Sequence, residues 1–197
     1  MVKKSKIPVR IDWIKDDSGK YETQIVMDST DFFSSDTKIR EKILKFKIKY
    51  IENVKKVQKI FYGKNFDEKK YRDLSSLTYF KIGLILKKFN KHIQNEFEIT
   101  NYNQAISRDF GLSPDYISDI ITIAEVFKKN EIMDSIPFSY YRALKRKRIE
   151  LIELGLFEKE KKRLNKMAND EKLLGRENYK KELNVLLTSN NKKRKQK

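Results

Sequence analysis

From residue 36 onward the apolar residues of this chain recur every three or four positions, and that spacing commits most of it to helix. Ile39, Ile43, Leu44, Phe46, Ile48, Ile51, Val54, Val57, Ile60 and Phe61 trace one stripe up to Gly63, with Ser35 or Asp36 placed to cap it. Lysines occupy much of the opposite face. Asp67 is placed to cap a second long helix, with apolar positions at Tyr71, Leu74, Leu77, Phe80, Ile82, Leu84, Ile85, Phe89 and Ile93. Gly83 within it allows either a close helix packing or a bend. Shorter helices are predicted over 101–110, 113–129, 138–154, 157–167 and 176–187, punctuated by Gly111, Pro137, Gly155 and Gly175.

The front of the chain follows a different period. Val9, Ile11 and Trp13 alternate with polar residues, Asp16-Asp17-Ser18-Gly19 is a turn cluster, and Tyr21, Thr23, Ile25 and Met27 alternate again. Residues 7–28 therefore read as a β-hairpin. A hairpin alone is marginal in water, so it packs on the helical body or adds to a partner's sheet.

Charge narrows the class of partner. The 197 residues hold 45 Lys and Arg against 28 Asp and Glu, a formal net charge of +17 spread along the chain. With 39% hydrophobic and 12% aromatic residues there is material for a core, so this is not a disordered polycation. A folded chain so charged repels itself and seeks a polyanion, most commonly nucleic acid. No cysteine is present, which excludes disulfides, thiol catalysis and Cys-based zinc sites. The single histidine, His92, excludes multi-histidine metal sites and reads as a surface residue in a Lys-rich helix. No apolar run approaches the roughly 18 residues that span a bilayer, and MVKKSKIPVR lacks the apolar stretch of a signal peptide. No membrane partner is expected, and the protein is expected to be cytoplasmic or nucleoid-associated.

The most specific stretch runs from Ile106 to Ile120. A helix-turn-helix needs a small residue where its helices approach, a glycine four residues later at the turn, and apolar residues around both. Ser107 and Gly111 meet the first two needs, Ile106, Phe110 and Leu112 flank them, and Ile117 and Ile120 fall on the inner face of the second helix. Ser113 is a good N-cap and Pro114 suits the first turn. The outer face of that recognition helix is expected to carry Ser113, Asp115, Tyr116, Ser118, Asp119 and Thr122. Asp accepts from cytosine N4, yet acid facing DNA opposes phosphate binding. Cations for the phosphates follow: Arg142, Lys145, Arg146, Lys147 and Arg148, preceded by Tyr140 and Tyr141, then Lys162 and Arg163 one helix on.

The stretch 106–120, followed by Ile136-Pro137-Phe138-Ser139-Tyr140-Tyr141 and a basic helix, resembles the helix-turn-helix region of ParB/KorB-type partition proteins. It is also similar to the helical N-terminal domain of YhcG-type nucleases, which has a counterpart of Tyr79-Phe80-Lys81-Ile82-Gly83 before its helix-turn-helix. The resemblance covers about residues 75–150 and implies double-stranded DNA as the partner. The sequence lacks the Arg-rich nucleotide-binding box of the partition proteins and a downstream nuclease domain, so the resemblance implies DNA binding alone.

The expected fold is mainly α: a multi-helix domain over 35–188 with a helix-turn-helix at 103–129. A β-hairpin appendage precedes it at 1–34, and a disordered basic tail follows at 189–197. The function expected is that of a regulator, partition factor or mobile-element accessory protein. The broad apolar face of helix 36–62 either pairs with its own copy in a homodimer, as helix-turn-helix proteins commonly do, or is intramolecular core. A second reading is an assembly or adaptor subunit of a nucleoprotein complex, its hairpin adding to the sheet of a partner protein. The third is a restriction-type nuclease using Asp12, Glu22 and Gln24 with a hard metal, with Asp28 and Asp31 just beyond. No P-loop or dinucleotide fingerprint occurs among the six glycines, so no cofactor and no resident metal is expected.

Overall fold

The computed structural model describes residues 6–15, 17–19, 21–27, 37–62, 74–94 and 96–195. Strands β1 (Ile7–Lys15) and β2 (Tyr21–Met27) are followed by helices α1 (Thr37–Tyr62) and α2 (Ser76–Gln94). A short strand β3 (Phe97–Ile99) precedes α3 (Tyr102–Phe110) and α4 (Pro114–Val126). After a 3-10 turn at Lys129–Glu131 come α5 (Phe138–Arg146), α6 (Arg148–Glu153), α7 (Phe157–Asn169) and α8 (Arg176–Lys195). No helix among the described residues is long and apolar enough to cross a membrane. The chain divides into two compact units.

The first unit comprises Met1–Arg72 and Leu84–Ser118. Its sheet has the order β2-β1-β3, with β1 antiparallel to β2 and parallel to β3. The register pairs Ile11 with Ile25 and Trp13 with Thr23, so the alternating apolar residues of β1 share one face. On that face Ile7, Val9 and Ile11 are buried, as are Phe46, Tyr50, Val57 and Phe61 of α1. The Phe46 ring stacks on Phe97, centroids 4.8 Å apart. The strand β3 was not expected in a region read as wholly helical. Three residues are too few to show a period, and the segment is held by pairing across the chain, with Ile7 N–H donating to Glu96 O at 3.1 Å. Just after β3, the Asn101 side chain donates to Ile11 O at 2.8 Å and accepts from Ile11 N–H at 3.0 Å, so an amide takes the place of a strand residue.

The second unit comprises Asp73–Gly83 and Asp119–Lys197. Helix α2 begins at Ser76, later than Asp67 implied; Asp67 and Tyr71 lie outside the described residues. Ser75 is the observed cap, its Oγ accepting from Thr78 N–H at 3.3 Å, and Asp134 Oδ1 accepts from Leu77 N–H at 2.9 Å. Tyrosine hydroxyls tie the irregular segments down. Tyr141 Oη accepts from Met133 N–H at 2.8 Å, and Tyr140 Oη donates to Leu174 O at 2.5 Å. Burial pushes the Tyr141 phenol up to about 12, so it remains a neutral donor and acceptor. The helix expected over 138–154 is broken at Lys147, which separates α5 from α6. Residues 189–195, expected in a disordered tail, continue α8, because Lys and Arg there extend a helix anchored by buried Tyr179, Leu183 and Leu187.

Candidate nucleic-acid interface

Helix α3 ends in a left-handed glycine. Gly111 has φ 62° and ψ 24°, and Leu112 N–H donates to Ser107 O at 3.0 Å, the bond that closes a Schellman turn. No neighbouring atom lies within 4 Å of a Cβ built there, so its requirement is one of backbone conformation alone. Gly111→Ala is expected to cost about 1 kcal/mol and Gly111→Asn less, as read by urea unfolding; an alanine variant as stable as the parent would overturn this assignment. Ser113 then caps α4, its Oγ accepting from Tyr116 N–H at 3.3 Å, with Pro114 in the first turn.

Helix α4 is exposed at its start and buried beyond it. Ser113, Pro114, Asp115 and Ser118 are exposed, Tyr116 and Thr122 half-buried, and Ile117, Ile120, Ile121, Ile123 and Ala124 buried. Of the six residues expected on its outer face, Asp119 is the correction: it is only 4% exposed. Arg142 Nε reaches it at 2.6 Å, Lys145 Nζ at 2.9 Å and Arg146 at 3.8 Å. Burial alone would raise the Asp119 carboxyl, but hydrogen bonds from Lys145 and Arg142 outweigh that and hold it below the usual carboxylate range.

This pairing changes the standing of the expected phosphate clamp. Arg142, Lys145 and Arg146 converge on one carboxylate of their own chain. Lys147 pairs with Glu150 at 3.2 Å, and Arg163 with Glu160 and Glu182 at 2.7 and 2.8 Å. Arg148 and Lys162 are exposed and make no ion pair with a described residue, but Arg148 borders a hollow that also holds Glu125 and Glu158. Most of the cations singled out by their density in the sequence therefore already have carboxylate partners.

A second carboxylate lies buried at the end of α3, in the first unit. Asp109 accepts from the Tyr50 hydroxyl of α1 and from Arg108 Nε at 3.4 Å, while its backbone oxygen accepts from Gln58 Nε2 at 3.0 Å. Burial raises its carboxyl, against the opposing bonds from Tyr50 and Arg108. The Arg108 guanidinium also lies over the Trp13 ring, 4.5 Å from its centroid, so β1, α1 and the end of α3 meet in one polar and aromatic cluster. Sequence reasoning did not single out Asp109, Tyr50 or Trp13 as a set; the residues are 37–96 positions apart in pairs that no local spacing links.

The two aspartates act on stability with opposite sign. Asp119, with its pKa depressed, contributes stability that is lost as pH falls below the ordinary value of 3.8. Asp109, with its pKa raised, binds its proton more tightly in the folded state, so its contribution falls as pH rises above 3.8. Urea midpoints from about pH 3 to about pH 7 are expected to show the acid-side loss shrink in Asp119→Asn. An unchanged acid limb would remove Asp119 as its source.

The nuclease candidates share one face of the hairpin. Asp12 pairs directly with Gln24 and lies diagonal to Glu22, which faces Ile14. Asp12 Oδ2 is occupied by the Arg10 guanidinium at 3.0 Å. Among the described residues no group of three or more His, Cys, Asp or Glu is placed to hold a metal ion. Asp28 and Asp31 lie outside the described residues. No family model, curated protein or solved structure matches the chain.

Proposed function

We propose that the chain is a DNA-binding protein in which α3, Gly111 and α4 act as a helix-turn-helix, with the first turns of α4 entering the major groove. The observation that carries this reading is the division of α4: Ser113, Asp115 and Ser118 are open to solvent, whereas Ile117, Ile120 and Ile123 are buried. Recognition helices read base edges from their N-terminal residues, and hydroxyls serve as donors and acceptors there. A net charge of +17 supplies the sequence-independent attraction. Such a protein serves as a regulator, partition factor or mobile-element accessory factor.

The test selects a duplex from a random pool and measures its affinity for the parent chain and for Ser118→Glu. Residue 118 is exposed, so the variant folds while placing a carboxylate against the groove. A loss of about tenfold or more is expected. Failure of the parent to bind any duplex in dilute buffer, or equal binding by Ser118→Glu, refutes the reading.

One observation favours the adaptor reading as a second. Strand β2 forms one edge of the sheet, so its outer backbone groups are available to a partner's strand. Light scattering on the purified chain separates the two: a stable, DNA-competent monomer or dimer removes the need for a partner.

A further inference from the structure

The face of the hairpin that enters the core continues past it. The register places Trp13, Lys15, Tyr21 and Thr23 on the same face as Val9 and Ile11. Val9 and Ile11 are fully buried, whereas Trp13 is 41% exposed and Tyr21 59%. The two rings have centroids 5.9 Å apart and planes tilted by 33°. Each ring has a cation against it. The Arg108 guanidinium lies 4.5 Å from the Trp13 centroid, and the Lys15 ammonium 6.0 Å from that of Tyr21. Trp13 is held in place: Arg108 in turn reaches Asp109 at 3.4 Å, and the indole itself favours the ionised form of that buried carboxylate. The first unit thus presents to water two oriented rings with positive charge beside both. Arg108 O also accepts from Gly111 N–H at 3.4 Å, so the cluster adjoins the turn that leads into α4.

We infer that Trp13 and Tyr21 form a stacking platform for unpaired bases of single-stranded DNA, with Arg108 and Lys15 attracting its phosphates. This rests on the proposed DNA-binding function and extends it to bases unpaired beside the duplex. Stacking asks for an open ring and a nearby cation, and it tolerates any base, because every base has a π-face. Inside a duplex those faces are covered by the neighbouring pairs. The ring centroids also stand wider apart than the roughly 3.4 Å spacing of stacked bases, so successive bases reach both rings only once they unstack. Rings already held in place lose little freedom on binding, which favours the stacked state. An anionic membrane is the other surface that takes Trp and Tyr with cations beside them. Here the turn beyond the rings carries the exposed Asp17, which insertion would bury and stacking leaves in water.

Trp13 is the one tryptophan of the chain, so its emission reports the platform without a label. The test titrates the full chain with a blunt duplex and with the same duplex carrying a single-stranded thymidine tail of about ten nucleotides at either end. The tailed duplex is expected to bind at least about fivefold more tightly than the blunt one and to quench Trp13. Tyr21→Ala is expected to remove most of that gain while leaving the blunt duplex bound as before, and Tyr21→Phe to keep it. Residue 21 is exposed, and circular dichroism verifies that both variants retain the fold. Inorganic polyphosphate, which has charge and no ring, is expected to leave Trp13 emission unquenched. A tail that adds no affinity, or a gain that survives in Tyr21→Ala, overturns the inference while leaving the DNA-binding function standing. So does quenching by polyphosphate equal to that by the tail. A uridine ribonucleotide tail bound more tightly than the thymidine one overturns it too. A larger response of Trp13 to phosphatidylserine vesicles, or to concentrating the chain alone, does the same. Failure of the parent to bind the blunt duplex refutes the underlying function instead.

Discussion

Replacing Gly83 with leucine is expected to abolish cooperative folding of the chain, and replacing it with alanine to lower its thermal midpoint by several degrees. A Cβ at position 83 would stand 2.5 Å from the backbone oxygen of Ile120 and 2.7 Å from the Ala124 Cβ. Neither obstacle is the mobile end of a long side chain. One is main chain within a helix whose neighbours Ile120, Ile123 and Ala124 are buried, so relief requires the two backbones to separate. Overpacking of this kind costs about 1–3 kcal/mol for a small group and more for a large one. Alanine recovers up to about 1 kcal/mol in helix propensity over glycine, which sets its expected net loss at about 1–2 kcal/mol. For a chain of this size that is about 2–8 °C. Leucine adds three further carbons to the same obstructed point and gains no more propensity. A differential scanning measurement in which Gly83→Ala melts at or above the parent would show that the helices are not in contact there.

Gly83 also shows how far the sequence could be followed. Its spacing within an apolar stripe left close packing and a bend equally open, and only the position of Ile120 and Ala124 decides for close packing. Features set by neighbours along the chain were legible. The alternation around Asp16–Gly19 placed β1 and β2, and the Ser107–Gly111–Ser113 spacing placed the end of α3 and the start of α4. Features set by distant partners were not. Strand β3 exists because β1 accepts it, and its three residues carry no signal of their own. Asp119 was assigned to the outer face of α4 because Ile117 and Ile120 mark the inner one. Its burial depends on Arg142 and Lys145, which approach from a helix more than 20 residues away. The spacing of those cations at i, i+3 and i+4 on α5 was visible, but not the carboxylate they enclose.

Removing the carboxylate of Asp119 is expected to be the most disruptive single-charge change in the second unit. In Asp119→Ala, Arg142, Lys145 and Arg146 are left together with no counter-charge, and a cavity replaces the buried group. Breaking a buried pair by deleting one partner costs about 3–5 kcal/mol. The side chains of Arg142 and Lys145 retain 20% and 22% exposure and Arg146 57%, so water relieves part of the repulsion and the lower end of that range applies. Urea unfolding near neutral pH measures this, and a loss under about 0.5 kcal/mol would mean that the cluster is solvated and contributes nothing measurable. A companion variant separates charge from packing. Asp119→Asn keeps the shape and an acceptor oxygen, so it removes the ionic part while leaving the cavity filled. If Asp119→Asn loses nearly as much as Asp119→Ala, the stabilisation is electrostatic. If it loses little, side-chain volume and hydrogen bonding carry it. The same substitutions act on the proposed DNA contact in the opposite direction. They release up to three cations on α5, so the salt dependence of duplex binding is expected to steepen by up to about 2–3 as stability falls. A steeper salt slope in a less stable protein is an outcome that general unfolding does not produce, because unfolding removes binding at every salt concentration alike.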